Sequence, residues 1–418
     1  MTNNQNQPRE FDAVLGKEAP PPVQGAVLGG IEGVKQRLAS SIVKARIDAV
    51  NDALNYGNAG LNLVISALND ESSLVQFSAY LLLRERTESE VKQAVKSYKS
   101  RRLPERLEWY TDNHISKFAN KKVEYFDPKI GIIDPMVIAY AVRCEWEEDV
   151  EVFREKLNML TQHPNASNIE ALVIGLRYED GDYDFSVAVN ALVEAKDKLK
   201  NLKAIFMGDI GDIKCSEWIS GMGRSDISPL LKAYTQLEII QIRGGDGLQF
   251  SQLEHDSLKA IIIENGGLDR QTIAQICALE LPALQHLELW LGSRRYGGNS
   301  SIDDLMPIIS GELFPTLSYL GLRNSEYSDD IATAIVNMPA IKFLNILDLA
   351  MGTLSDEGAE ALLNCSHVNK LDILNVTDNF LSAAMIERLS QLDCQLIYGR
   401  QRREENYDDH RRYCSIAE

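Results

Sequence analysis

From residue 169 onward a six-residue pattern, L-x-x-L-x-L with Ile, Val or Met allowed in place of Leu, returns eight times. It occurs in "IEALVIG" (169), "LKAIFMG" (202), "LEIIQIRGG" (237), "LKAIIIENGG" (258), "LQHLELWLG" (284), "LSYLGLRNS" (317), "LNILDLAMG" (344) and "LDILNVTDN" (371). The starts are 33, 35, 21, 26, 33, 27 and 27 residues apart. Side chains alternate across a strand, so the first, fourth and sixth positions of each copy share a side. One such short strand cannot bury three aliphatic side chains alone, whereas stacked copies make a continuous core. Helical stretches such as "DRQTIAQICALEL", "DDIATAIVNMP", "DEGAEALLN" and "SAAMIERLSQLD" lie between the copies. Strand, turn and returning helix therefore form the unit, repeated side by side.

This is the leucine-rich-repeat signature. The long helices resemble the ribonuclease-inhibitor-like subclass, which implies an α/β solenoid curved into a horseshoe. On such a frame the third, fifth and seventh positions face the concave side. The seventh positions include Arg243, Glu264, Trp290 and Arg323, the fifth Glu288 and Asp348, and the third His286 and Tyr319. Tryptophan, tyrosine and arginine are frequent interface anchors. The inner face of a horseshoe is expected to lack a covering layer, so these eight residues are read as an exposed partner-binding surface. The alternative is self-cover, with Trp290 lying on Arg323 as a cation–π pair.

Two insertions add to that surface. "GSRRYGGNSSIDD" (292–304) reads as a flexible loop with Arg294, Arg295 and Tyr296 at its tip, and "GDIGDIKCSEWISGMGRSDISP" (208–229) carries Trp218. Loops on a rigid scaffold often carry binding contacts.

The rest of the chain divides by composition. Residues 1–30, including "APPPVQG", read as a flexible arm. Residues 31–104 have helical periodicity, and "SSIVKARIDAVNDAL" and "SSLVQFSAYLLL" begin alike 32 residues apart. Ser40 and Ser72 are candidate N-caps. Ile42, Ala45, Ala49 and Leu54 form one expected apolar face, and Leu74, Phe77, Tyr80 and Leu81 the other. This small all-α module resembles a HEAT-type repeat and also a leader module found ahead of unrelated domains in cyanobacterial proteins, which implies an attachment role. Lys92, Lys96, Lys99, Arg101, Arg102 and Arg106 close it with a basic cluster. Residues 105–168 read as the N-terminal cap of the array, and 399–418 as a C-terminal cap or tail, with "YCSIAE" apolar enough to dock.

Charge narrows the partner. Residues 1–104 hold 13 Lys+Arg and 11 Asp+Glu, so of the chain's net −18 the remainder carries −20. So acidic a unit repels phosphate backbones and anionic membranes. The six cysteines (144, 215, 277, 365, 394, 414) have no zinc-like spacing and read as reduced thiols. The sequence shows no membrane-length apolar run and no secretory leader, which points to a cytoplasmic protein.

The pieces "LEIIQIRGGDGLQF", "LPALQHLELWLGSRRYGGN", "SGELFPTLSYLGLRNSEYSDDIA", "LDLAMGTLSDEGAEALL" and "RYCSIAE" resemble a bacterial family of cytoplasmic leucine-rich-repeat proteins of unassigned function, over roughly residues 110–418. That resemblance implies a scaffold or adaptor and supplies no catalytic residue. The functional expectation is a non-enzymatic protein-interaction scaffold needing no cofactor or metal, with the helical module as a second docking element. The alternatives are an enzyme accessory, or a nucleic-acid adaptor using the basic stretch 92–106. An enzymatic site would have only His286, beside Glu288 and Tyr319, as a concave general base, and no phosphate loop or nucleophile elbow accompanies it.

Overall fold

The computed structural model describes residues 30–84, 86–101, 114–144, 148, 150–176, 185–209, 225–244, 247–403 and 412–416. The chain forms two compact units, Met1–Leu103 and Pro104–Glu418.

The first unit contains α1 (Gly30–Leu38), α2 (Val43–Ala53), α3 (Gly57–Ala67), α4 (Ser73–Leu83) and α5 (Ser89–Arg101). The expected apolar faces are met in part: Ala49, Phe77 and Tyr80 are buried, and Leu54 and Leu81 pack against the same core. On α2 the buried residues are Arg46, Ala49, Val50 and Ala53, and Ile42 is 64% exposed. On α4 they include Val75, Phe77, Ala79, Tyr80 and Leu83. A buried ion pair adds a polar residue to the α2 face: Arg46 Nη2 meets Asp70 Oδ1 at 3.1 Å, tying α2 to the turn before α4. That same oxygen accepts from the Ser72 amide at 2.8 Å. Ser72 does precede α4, but its hydroxyl caps nothing, and Ser40 instead accepts from the Ile42 amide.

The second unit is one open sheet of twelve strands in sequence order. It begins with β1 (Lys117–Phe118), antiparallel to β2 (Lys121–Tyr125), and every later pair is parallel. β3 (Ile138–Arg143) leads through α6 (Val150–Gln162) to β4 (Ala171–Gly175), so the expected cap residues extend the same sheet. There follow β5 (Ala204–Met207), β6 (Ile239–Arg243), β7 (Ala260–Glu264), β8 (His286–Gly292), β9 (Tyr319–Ser325), β10 (Ile346–Asp348), β11 (Ile373–Asn375) and β12 (Gln395–Ile397). Helices such as Arg270–Cys277, Ile302–Ile309, Ser328–Ile335 and Asp356–Leu363 return the chain between strands. Parallel neighbours joined by helical returns are the leucine-rich-repeat architecture.

The first, fourth and sixth residues of all eight motif copies, from Ile169, Leu172 and Ile174 to Leu371, Leu374 and Val376, lie in one buried core. The ladder register also aligns the fifth positions: Val173, Phe206, Gln241, Ile262, Glu288, Gly321, Asp348 and Asn375 are successive partners.

The opposite face of the sheet is not open. At its N-terminal end Ala139, Ala141, Ala171, Val173, Ala204 and Phe206 form a second buried cluster with Phe118, whose ring centroid lies 6.0 Å from that of Phe206. Phe118, at the end of β1, and Ile115 thus pack with this face of β3, β4 and β5, and the Ile115 amide donates to Asp209 Oδ1 at 3.0 Å. At the other end Trp290, Ala350 and Met351 are buried together with Ile416.

Candidate functional site

The eight residues expected on an exposed inner face do converge, but they are buried. Glu264, Glu288, Trp290 and Asp348 are each 0% exposed, and Arg243, His286, Tyr319 and Arg323 are buried with them. The expectation of an uncovered concave surface is therefore corrected. Segments before and after the array cover that face, and its charges satisfy one another.

Glu288 is the hub. Its Oε1 accepts from Trp290 Nε1 at 2.8 Å and from Arg323 Nη1 at 3.1 Å. Its Oε2 lies 3.4 Å from both His286 Nε2 and the Tyr319 hydroxyl. That hydroxyl also donates to Asp348 Oδ2 at 2.8 Å, and Asp348 Oδ1 accepts from the Ala350 amide at 3.0 Å. Upstream, Glu264 accepts from Gln241 Nε2 at 2.8 Å and Arg243 Nε at 2.6 Å. The His286 and Tyr319 rings stack at 3.8 Å with planes 9° apart. Arg323 Cζ sits 5.2 Å from the Trp290 ring centroid, the self-covering geometry.

Gly321 makes room for this packing, since a Cβ there would come within 3.0 Å of Glu288 Cγ and 3.1 Å of Tyr319 Cε1. Burial, with Asp348 and Glu288 close by, raises the Tyr319 phenol well above its usual range, so it remains a neutral donor. Both Glu288 oxygens are engaged and His286 is stacked and sealed. In this state the cluster positions side chains and offers no accessible base.

The turn after β8 has a different character. Arg294–Tyr296 form a tight 3-10 turn in place of the flexible loop expected. Ser293 Oγ accepts from the Arg295 amide at 3.1 Å, and the Gly298 amide returns to Ser293 O at 3.0 Å. Gly292 has φ +68° and approaches Gly266 so closely that a Cβ would meet its carbonyl oxygen at 1.9 Å, so glycine is required. Arg294 and Arg295 are exposed and Tyr296 is half-buried, with Arg295 Cζ 5.5 Å from the Tyr296 ring. Of the eleven residues singled out, these three are accessible.

Other sequence-singled residues are placed as follows. Lys92 and Lys96 are exposed on α5, where with Arg84 and Arg86 they line a cavity of about 230 Å³. Arg102, Arg106, Trp218 and Cys215 lie outside the described residues. Among the described residues Cys144, Cys277, Cys365, Cys394 and Cys414 are free thiols. Burial pushes Cys277 up to about 11 and Cys414 to about 12. Among the described residues no cluster of metal-ligating side chains occurs. No described helix is long and apolar enough to cross a membrane.

Sequence reasoning missed Asp209, fully buried at the end of β5. Arg143 Nη2 lies 2.6 Å and His114 Nδ1 3.4 Å from Asp209 Oδ2. Burial opposes ionisation, but His114, Arg143 and the Ile115 amide outweigh it and hold the carboxyl below its usual range. A carboxyl depressed in the folded state stabilises above its unfolded pKa, about 4, and that stability is lost as pH falls through the folded value. Asp209→Asn is therefore expected to lose less melting temperature than the parent between about pH 5 and pH 3. Parallel melting curves at both pH values check this.

No family model and no curated protein matches the chain. Among solved structures it is similar to a Bacteroides fragilis protein, with a TM-score of 0.58 and 26% identity over 64% of this chain and 76% of that one. An internalin of Listeria monocytogenes superposes loosely, with a TM-score of 0.24 and 15% identity over 62% of this chain and 85% of that one.

Proposed function

We propose that the protein is a non-enzymatic, cytoplasmic interaction scaffold whose leucine-rich-repeat unit, curved in the ribonuclease-inhibitor manner, binds a protein partner. The observation that carries this reading is the Arg294–Tyr296 turn. Two exposed guanidinium groups and an aromatic ring are held by a backbone-bonded turn on one strand end of a rigid array. A preorganised turn loses little freedom on binding, and Arg and Tyr contribute disproportionately to interface energy. The unit's charge of −20, which begins after residue 104, disfavours nucleic acid and directs the reading to a protein with an acidic or aromatic complement to this turn. In the same reading the helical unit, with its HEAT-like sequence character, is a second docking element. The buried inner-face residues from Arg243 to Asp348 take part only where they become uncovered.

The test is affinity purification from native lysate with the parent chain and with Arg294→Glu/Arg295→Glu. Retention of a specific partner is expected to fall at least tenfold while the melting temperature changes by less than about 2 °C, because exposed substitutions cost within about 0.5 kcal/mol. Undiminished retention by the variant, or no specific partner with the parent, overturns the reading.

A further inference from the structure

The segment Arg412–Ile416 is held as a bound peptide is held. Its last two residues, Ser415 and Ile416, lie over three equivalent turn positions: Asp378, Met351 and Asn324. All three have positive φ, at 56°, 69° and 51°, a backbone state that non-glycine residues seldom adopt. Such outliers gather at ligand clamps and switch regions.

Each turn offers the segment a polar contact. The Ser415 hydroxyl donates to Asp378, and the Ser415 amide donates to Met351 O at 2.8 Å. Asn324 reads the Ile416 backbone at both ends: its Oδ1 accepts from the Ile416 amide at 2.9 Å, and its Nδ2 donates to the Ile416 carbonyl at 2.5 Å. A side-chain amide that engages both the N–H and the C=O of one residue fixes a peptide in register without reading its side chain. The side chain is read separately, because Ile416 is buried against Trp290, Ala350 and Met351. Arg412 anchors the other end through Asp329 Oδ2 at 2.9 Å.

This geometry differs from that of a cap. The segment's last two residues span three stacked rungs, and among the described residues it forms no ladder with any strand. Its Ile416 side chain packs on Trp290, a residue type enriched at interface hot spots.

We propose that the trough over Trp290, Ala350 and Met351 is a recognition site for a short peptide bearing an aliphatic side chain where Ile416 lies, and that Arg412–Ile416 occupies it in cis. The occupant in trans is a partner segment with that pattern: a short hydroxyl residue followed by a β-branched aliphatic one. The tethered tail competes with it through its high local concentration, so the site is open to a partner only when the tail leaves. This deepens the scaffold reading and rests on it for a function, while its binding claim stands on contacts separate from the Arg294–Tyr296 turn.

The probe is a fluorescein-labelled peptide of residues 412–418, "RYCSIAE", kept reduced and titrated into two full-length chains, the parent and Ile416→Asp. The variant's own tail can no longer fill the trough, so it is expected to bind the peptide at least tenfold more tightly than the parent. A peptide carrying Ile416→Asp is expected to bind neither chain. Equal uptake by both chains, or no saturable uptake by a variant whose melting temperature matches the parent's, overturns the proposal.

Should the variant not fold, hydrogen exchange on the parent decides. The Ile416 amide is expected to exchange at least tenfold faster than the strand amides of Leu320 and Leu347, by local release of the tail. Exchange at the rate of those strands overturns the proposal. A failed peptide titration with intact dependence on Arg294 and Arg295 removes this proposal alone, and peptide uptake with no such dependence removes the scaffold reading's chosen turn alone.

Discussion

Replacing Arg323 with methionine is expected to lower the unfolding free energy of the repeat unit by about 3–5 kcal/mol, the usual effect of removing one partner from a buried charge group. Arg323 is 1% exposed and stands between two carboxylates, with Nη1 3.1 Å from Glu288 and Nε 3.7 Å from Asp348. Methionine approximates the length of the side chain and preserves much of the contact with the Trp290 ring, so the change isolates charge from volume. The guanidinium contacts are then lost, and the carboxylates keep the Trp290 indole, the Tyr319 hydroxyl, the Ala350 amide and the His286 ring as neighbours. Hydrogen bonds from neutral groups do not replace a cation in a site closed to water.

A second substitution, Glu288→Met, separates the interaction from the individual residues. If the two groups stabilise each other, the double variant is less destabilised than the sum of the singles, with a coupling of about 1–3 kcal/mol. Denaturant unfolding followed by circular dichroism measures all four chains. An Arg323→Met midpoint equal to the parent's would show that water reaches the carboxylates and that the cluster is not sealed.

The positions that build this cluster were legible in the sequence, and its burial was not. Alternation along the strands places the leucines of every rung on one side. The register then places Glu288 beside Gly321 and Trp290 beside Arg323, as a repeat reading requires. These relations follow from period and spacing, and local sequence carries both. Cover depends on where distant segments go. Asn324 and Ile416 are 92 residues apart in the chain, and no local pattern joins them.

Two compositional signals did bear on it. The inner-face residues of the first rungs, Ala171, Val173, Ala204 and Phe206, are apolar, as a covered surface requires. Further along, the charges alternate in sign between adjacent strands, Arg243 against Glu264 and Glu288 against Arg323, which allows pairing away from water. In the helical unit the burial of Arg46 was missed for a related reason. Arg46 looks like a surface residue until Asp70, 24 positions later, pairs with it inside.

Trp290→Ala is expected to destabilise the repeat unit by about 3–5 kcal/mol, the range for deleting a large aromatic side chain from a packed interior. For a unit of this size the melting temperature then falls by about 10 °C. An exposed interface anchor would behave oppositely, losing a partner while leaving stability within about 0.5 kcal/mol. The indole is 0% exposed, packs with Ala350, Met351 and Ile416, and donates to Glu288 at 2.8 Å. Trp290→Phe retains most of the apolar contact and removes that donor. Its expected cost is about 1.5–3 kcal/mol, the net value of a hydrogen bond to a charged acceptor.

The graded pair therefore divides volume from polarity at one position. Combining Trp290→Ala with Ile416→Ala tests the contact between array and tail. Residues that touch show non-additivity of about 0.5 kcal/mol or more, whereas Leu172→Ala, in a separate cluster of the unit, is expected to add to Ile416→Ala without coupling. A Trp290→Ala melting temperature within about 2 °C of the parent's, or strict additivity with Ile416→Ala, would return Trp290 to the surface and leave the tail without its seat.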